Sequence, residues 1–348
     1  MIWIAVDAMG GDEAPRNVVD GALAAVRHFD LGVLLVGRSD AIEAVLEEEY
    51  SQVAGIDRER VRVVHAPDVV SMDDSPSAAL RRKPGASIRV AADLVASGEA
   101  SALFSAGHTG ATVMAAHAAF GMLPGVDRPA LAAVIPTRSR PALLLDVGAS
   151  VECRPHHLLQ FAVMGRMFAR VVYDIASPRI GLLSTGHEET KGNELTREAH
   201  RLLKSAPVDF IGNVEASRIY SGDADVIVCD GFTGNVALKI SEGLVEVVET
   251  LLSDELSSTI TMRVGSLLTR RALRHFRMRV DYSEYGGAPL LGVAGVTIVG
   301  HGRSSAKAVR NAIAMAYRFS STRFIERVEQ DIAAAAACSP RLKEAPHS

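Results

Sequence analysis

The chain has 348 residues, 48% of them hydrophobic and 22% charged, and a formal net charge of −4. That profile fits a folded globular protein, excludes a disordered or fibrous one, and supplies no overall positive charge to draw nucleic acid. Cys153, Cys229 and Cys338 have no CxxC or CxxH spacing, which disfavours a zinc site or a disulfide framework and suits a reducing cytoplasm.

In chain order, the opening MIWIAVDAMGGD has no basic n-region and reads as a first strand rather than a secretory leader. Short apolar runs follow at Val33 to Val36, Val61 to His65, Ala102 to Ser105, Leu143 to Asp146, Ile180 to Leu183, Val226 to Cys229 and Val296 to Val299. Helix-length amphipathic segments separate them. This alternation predicts an α/β fold of three α/β/α layers with a mainly parallel sheet. Pro15 and Pro76 suit the first turns of helices. No apolar run approaches the roughly 18 residues of a membrane-spanning helix. Residues 257–280 carry six arginines and no acid, with Val264, Leu267, Leu268, Ala272 and Phe276 on one helical face. One domain over residues 1–330 is expected, then a fraying helix end and a disordered tail over 331–348.

Ligands of open parallel sheets bind beyond the carboxyl ends of the strands, so the turns there are the candidate sites. Five are rich in glycine: Asp7 to Asp12, Ser105 to Gly110, Ser184 to Glu194, Asp230 to Asn235 and Gly300 to Ser305. A glycine in one such turn ordinarily serves backbone geometry. Five together, carrying Lys191, His301, Arg303 and hydroxyls beside backbone N–H groups, suit a phosphate. The turn DGFTGN opens straight into a helix, whose first N–H groups attract anions. A GxxxxGK[ST] loop is missing, and GHGRSS lacks the third glycine of GxGxxG, which disfavours nucleotides. No GxSxG elbow appears, and Cys229 reads as a small buried residue. A phosphate site without a protein nucleophile suggests that phosphate itself reacts.

The motifs AVDAMGGDEAP, MDDSP with ALRRK, SAGHTGA, RPALAAVIPT, LLLDVGA, KGNE, FIGNVEA, DVIVCDGFTGNVALK and SEYGGAPLLG with the following HG resemble, in that order, the bacterial phosphate acyltransferases of phospholipid synthesis. The resemblance runs from Ile4 to about Phe319. It implies transfer of a long-chain fatty acyl group from acyl carrier protein to inorganic phosphate, giving acyl phosphate, with no cofactor or metal. It also implies the fold of phosphotransacetylases and of isocitrate and isopropylmalate dehydrogenases, with a helical hairpin at about residues 250–280. A cytoplasmic homodimer is implied, peripheral to the inner face of the membrane and feeding a glycerol-3-phosphate acyltransferase.

Lys191 of KGNE and Asn235 are then the expected catalytic residues. Gly107, Thr109, Gly110, Asp230, Thr233, Gly234, His301 and Arg303 are expected to hold phosphate or substrate, and Asp7 to orient its loop. Arg81, Arg82, Lys83, Arg271 and Arg274 suit an acidic carrier protein or anionic lipid, with Leu267, Leu268 and Phe276 inserted in the latter case. Two departures from the family pattern stand out: His108 replaces the usual Asn, and STGHEET precedes KGNE, altering positions 184 and 187. Two other readings are a non-catalytic membrane adaptor and a decarboxylating dehydrogenase holding Mg²⁺ between Asp7, Asp12 and Asp230.

Overall fold

The computed structural model describes residues 1–52, 57–257 and 286–338. Its elements are, in order, β1 (Ile2–Asp7), α1 (Arg16–His28), β2 (Leu31–Gly37), α2 (Ser39–Gln52), β3 (Val61–His65), α3 (Pro76–Arg82), α4 (Ser87–Ala96), β4 (Ala102–Ser105), α5 (Thr109–Phe120), β5 (Ala130–Ile135) and β6 (Ala142–Leu145). Then come α6 (Pro155–Val172), β7 (Arg179–Ser184), α7 (Glu194–Lys204), β8 (Asp209–Glu215), β9 (Val226–Val228), α8 (Gly231–Ser257), β10 (Ala288–Leu291), β11 (Val296–Val299), α9 (Ala306–Ser321) and α10 (Phe324–Cys338). Each apolar run named above forms a strand. β5, β8 and β10 add to them.

The strands form one sheet in the order β3-β2-β1-β4-β11-β10-β5-β6-β9-β7-β8. Pairing is parallel from β3 to β11 and again from β6 to β8, but antiparallel where β10 meets β11 and β5 and where β5 meets β6. The two parallel blocks therefore run in opposite directions. The carboxyl ends of β1, β4 and β11 lie at one end of the sheet, and those of β6, β7 and β9 at the other. The five glycine-rich turns therefore divide between the two ends, those after β1, β4 and β11 at one and those after β7 and β9 at the other.

Helices cover both faces. One core packs α1, α2, α6, α7, α9 and α10 on one side, and two others pack α4, α5 and α8 on the second. Close approach sets residue choice where α1 crosses α9: a Cβ at Gly21 would lie 2.5 Å from the Val309 Cβ. The C-terminal helix runs on past residue 330, with Ile332 buried and Asp331 paired to Arg166 at 2.9 Å. Asp331 and Ile332 thus pack against the fold, and the helix continues to Cys338. No helix among the described residues is long and apolar enough to cross a membrane. The basic segment, with Leu267, Leu268, Arg271, Arg274 and Phe276, lies outside the described residues.

Candidate active site

The middle of the sheet, where strand direction reverses, carries a cleft of about 700 Å³. On one side stand the turn after β4 (Gly107, His108, Thr109, Gly110) and the turn after β11 (Gly300 to Ser305). Across from them α8 presents Asn235, Leu238, Lys239 and Glu242, and β5 supplies an apolar floor. Adjacent parallel strands β4 and β11 hand their chains to α5 and α9, so two helix N-termini open into one cleft. Their partial positive charge favours an anion.

Buried polar groups fix these turns. Asp7, at the end of β1, accepts the Ser105 hydroxyl at 2.7 Å, and the Ser105 oxygen in turn accepts the Gly107 N–H at 3.1 Å. Burial raises the Asp7 pKa above its ordinary value, partly offset by these hydrogen bonds. Gly10 must be glycine for the turns to meet, since a Cβ there would lie 2.7 Å from the Gly107 nitrogen. His108 is the N-cap of α5: its Nδ1 accepts the Gly110 N–H at 3.1 Å. That bond places the proton of the neutral ring on Nε2. Asparagine caps helices by the same kind of acceptance, so the His108 departure preserves the capping role. We expect His108→Asn to keep the thermal midpoint within about a degree, and His108→Ala to cost about 1 kcal/mol in a denaturant melt.

His301 makes a matching turn, its Nδ1 accepting the Arg303 N–H at 3.2 Å. Burial, then the nearby Lys239 charge, lowers the His301 pKa, so the ring is neutral at pH 7. Arg303 reaches Glu246 at 3.4 Å and Lys239 reaches Glu242 at 2.8 Å, so both cations hold acidic neighbours on α8. Lys239 was legible in the sequence: it follows Asn235 by four residues, on the same helical face.

The α8 N-terminus is arranged differently from expectation. The Asp230 carboxylate accepts both the N–H and the hydroxyl of Thr233, at 2.9 and 2.7 Å, and Ser150 O accepts the Gly231 N–H at 2.9 Å. This helix is capped from within, as α5 is by His108 and α9 by Ser305, but here Asp230, Thr233 and Gly234 do not line the cleft. The pivot beneath it is Asp146, a residue sequence reading passed over although it sits in the quoted LLLDVGA. Its carboxylate accepts the N–H groups of Leu131, Gly148, Ala149 and Ser150 at 2.8, 3.0, 3.0 and 2.6 Å. Burial lifts its pKa to about 6 against the pull of those bonds. A Cβ on Gly234 would collide with the Asp146 carbonyl oxygen, so glycine lets α8 start against this turn. Asn235 then lies against Gly148, its Nδ2 3.4 Å from where a Cβ would stand.

Lys191 is exposed on the turn after β7 and does not line the cleft. Its strand neighbours β9, whose own turn launches α8, so Lys191 and Asn235 leave the same end of adjacent strands. Below the Lys191 turn the Ser184 hydroxyl is buried without a partner. Arg81, Arg82 and Lys83 lie at the end of α3 and beyond it, with Lys83 paired to Asp74 at 2.7 Å. Cys229 is buried and its thiol is pushed well above its ordinary pKa by burial, which suits packing rather than nucleophilic attack.

The dehydrogenase reading loses its carboxylate cluster, because Asp7 and Asp230 lie at opposite ends of the sheet. Among the described residues, Asp127, His156 and His157 have metal-ligand spacing. His156 Nε2 lies 3.2 Å from an Asp127 carboxylate oxygen, and His157 Nδ1 accepts the Arg154 N–H at 3.0 Å.

The fold is similar to that of a phosphotransacetylase from Streptococcus pyogenes, with a TM-score of 0.62 at 17% identity over 92% of this chain and 94% of that one. A 4-hydroxythreonine-4-phosphate dehydrogenase from Klebsiella pneumoniae aligns with a TM-score of 0.53 at 14% identity, covering 92% of this chain and 100% of that one. In sequence, the chain is 49% identical over 333 residues to a phosphate acyltransferase from Acidobacterium capsulatum, spanning 96% of this chain and 98% of that relative. The family model described as "Fatty acid synthesis protein" matches residues 2–327. With nearly its whole length matched, the chain belongs to this fatty acid synthesis protein family and is an acyltransferase.

Proposed function

We propose that the protein transfers a long-chain fatty acyl group from acyl carrier protein to inorganic phosphate, releasing acyl phosphate and the free carrier thiol. The observation that carries this reading is a cleft in which two helix N-termini face an apolar floor. An anion and an alkyl chain are the two parts of such a reaction. Phosphate is already anionic at pH 7, and a thiol of pKa about 8.5 leaves readily as thiolate. Neither a strong base nor a covalent enzyme intermediate is needed. An oxygen of phosphate attacks the thioester carbon, the carbonyl becomes an oxyanion, and collapse expels the carrier thiolate, which takes a proton from water.

The enzyme's task is positioning and charge stabilisation. Thr109 at the start of α5 and Arg303 before α9 hold phosphate, and Gly107, Gly110 and His301 shape the turns that carry them. Asn235 donates its amide to the developing oxyanion. Lys191, from the adjoining strand end, brings the compensating positive charge. Asp7 and Asp230 orient the turns, since a carboxylate facing phosphate would repel it.

We further read the protein as a homodimer peripheral to the membrane. The exposed stripe of Phe232, Val236, Ile240, Leu244, Val247 and Leu251 along α8 is the surface a second copy would cover. Arg81, Arg82 and Lys83 offer positive charge to the acidic carrier protein. The acyl phosphate passes to a membrane glycerol-3-phosphate acyltransferase. Incubation with hexadecanoyl carrier protein and radiolabelled phosphate tests the product: label carried into an organic-soluble hexadecanoyl phosphate, in step with release of free carrier thiol, is expected. A carrier protein hydrolysed to free fatty acid instead would refute the reaction.

A further inference from the structure

The cleft joins two chemistries. Its polar half consists of the turns after β4 and β11 with Asn235 and Lys239. The other half is an aliphatic strip of Leu131 and Ala133 on β5, Ala288 on β10, Val299 on β11 and Leu238 on α8. A continuous cleft of about 700 Å³ lies within the range of roughly 300–1,000 Å³ typical of pockets that bury small-molecule ligands.

Strand alternation explains the strip. Leu131, Ala133 and Ile135 share one face of β5 and one apolar cluster, while Ala132 and Val134 join the core cluster on the opposite side, Val134 also bordering the cleft. Ala133 stands between two larger side chains, each two residues away. Its small side chain leaves a gap in the floor, and Ala288 on the neighbouring strand is equally small. Neither alanine serves any polar role in the cleft.

Resting on the acyl-transfer reading above, the geometry points to this strip as the seat of the acyl chain, with Ala133 as the residue that sets the accepted chain length. Each methylene moved from water into such a strip is about fourfold in affinity. Leucine at position 133 adds three carbons and displaces about three methylenes, so a long chain loses about 60-fold. A chain too short to reach the gap loses nothing.

The test uses the full chain and alkylphosphonates, which carry a tail and a phosphate-like head but do not react. Calorimetry with dodecylphosphonate and hexylphosphonate is run beside kcat/KM for hexadecanoyl and hexanoyl carrier protein. For Ala133→Leu, the long probes should weaken at least about tenfold while the short ones stay within about twofold. Ala288→Leu serves as the second variant should a thermal melt show Ala133→Leu misfolded. Equal losses, or no losses, for both chain lengths in a folded variant would overturn the assignment. The two readings fail separately. Length-dependent phosphonate binding without turnover of acyl carrier protein would spare the strip and refute the transferase reaction, whereas wild-type turnover with length-independent variants would refute the strip alone.

Discussion

Asn235→Ala is expected to lower kcat for acyl transfer by ~10² to 10³, the typical cost of removing one oxyanion donor. Asn235 is exposed in the second turn of α8, and alanine is a better helix former there, so the thermal midpoint should hold. A fall in kcat without a fall in stability separates chemistry from folding. Lys191→Ala provides the companion measurement, because Lys191 is exposed and its loss leaves no buried charge unpaired. If the two residues stabilise the same developing charge, the double variant should lose less than the product of the single losses. A near wild-type rate for either single variant would remove that residue from the mechanism.

Asp146→Ala should be the most destabilising single change at the site. It strips the acceptor from four backbone N–H groups and leaves Leu131 and Ser150, both buried, without their partners. Each buried donor left unsatisfied costs about 1–3 kcal/mol, so the two together are expected to cost about 2–6 kcal/mol. Urea denaturation would read this as a lower midpoint with an unchanged slope. Asp146→Asn should recover part of the loss, since its amide oxygen still accepts but its NH₂ faces donors. Stability equal to wild type in the alanine variant would mean that these N–H groups find other acceptors, and that the α8 turn does not depend on Asp146.

Period and punctuation made most of the scaffold legible. Runs such as Val33 to Val36 and Val226 to Val228 are apolar, rich in β-branched residues and buried, and they lie in β2 and β9. The strands left unlisted have weaker local signals: ALAAVI of β5 is half alanine, β8 contains Gly212 and Asn213, and β10 begins Ala-Pro. Missing β5 and β10 hid the reversal of strand direction, because those two strands make the antiparallel joints. That reversal is long-range pairing, which no local pattern encodes.

The turns after β4 and β11 were recognisable from their glycines, and they line the cleft. The turn after β9 carried the same local signal, yet its Asp230, Thr233 and Gly234 do not line the cleft, because long-range strand order puts β9 in the oppositely directed block. Asp146 escaped notice because a lone buried aspartate acquires its role from the four amides that the fold gathers around it. His108 drew attention as a departure, but its effect is conservative, since imidazole Nδ1 and an asparagine oxygen both accept the Gly110 N–H.

The most direct measurement is the release of free carrier thiol from hexadecanoyl acyl carrier protein on adding inorganic phosphate, with hexadecanoyl-CoA as the parallel donor. The expected result is phosphate-dependent release that is much weaker with CoA, which would establish both the nucleophile and the protein donor. Absence of release with either donor, from a sample that melts cooperatively, would contradict the proposed reaction.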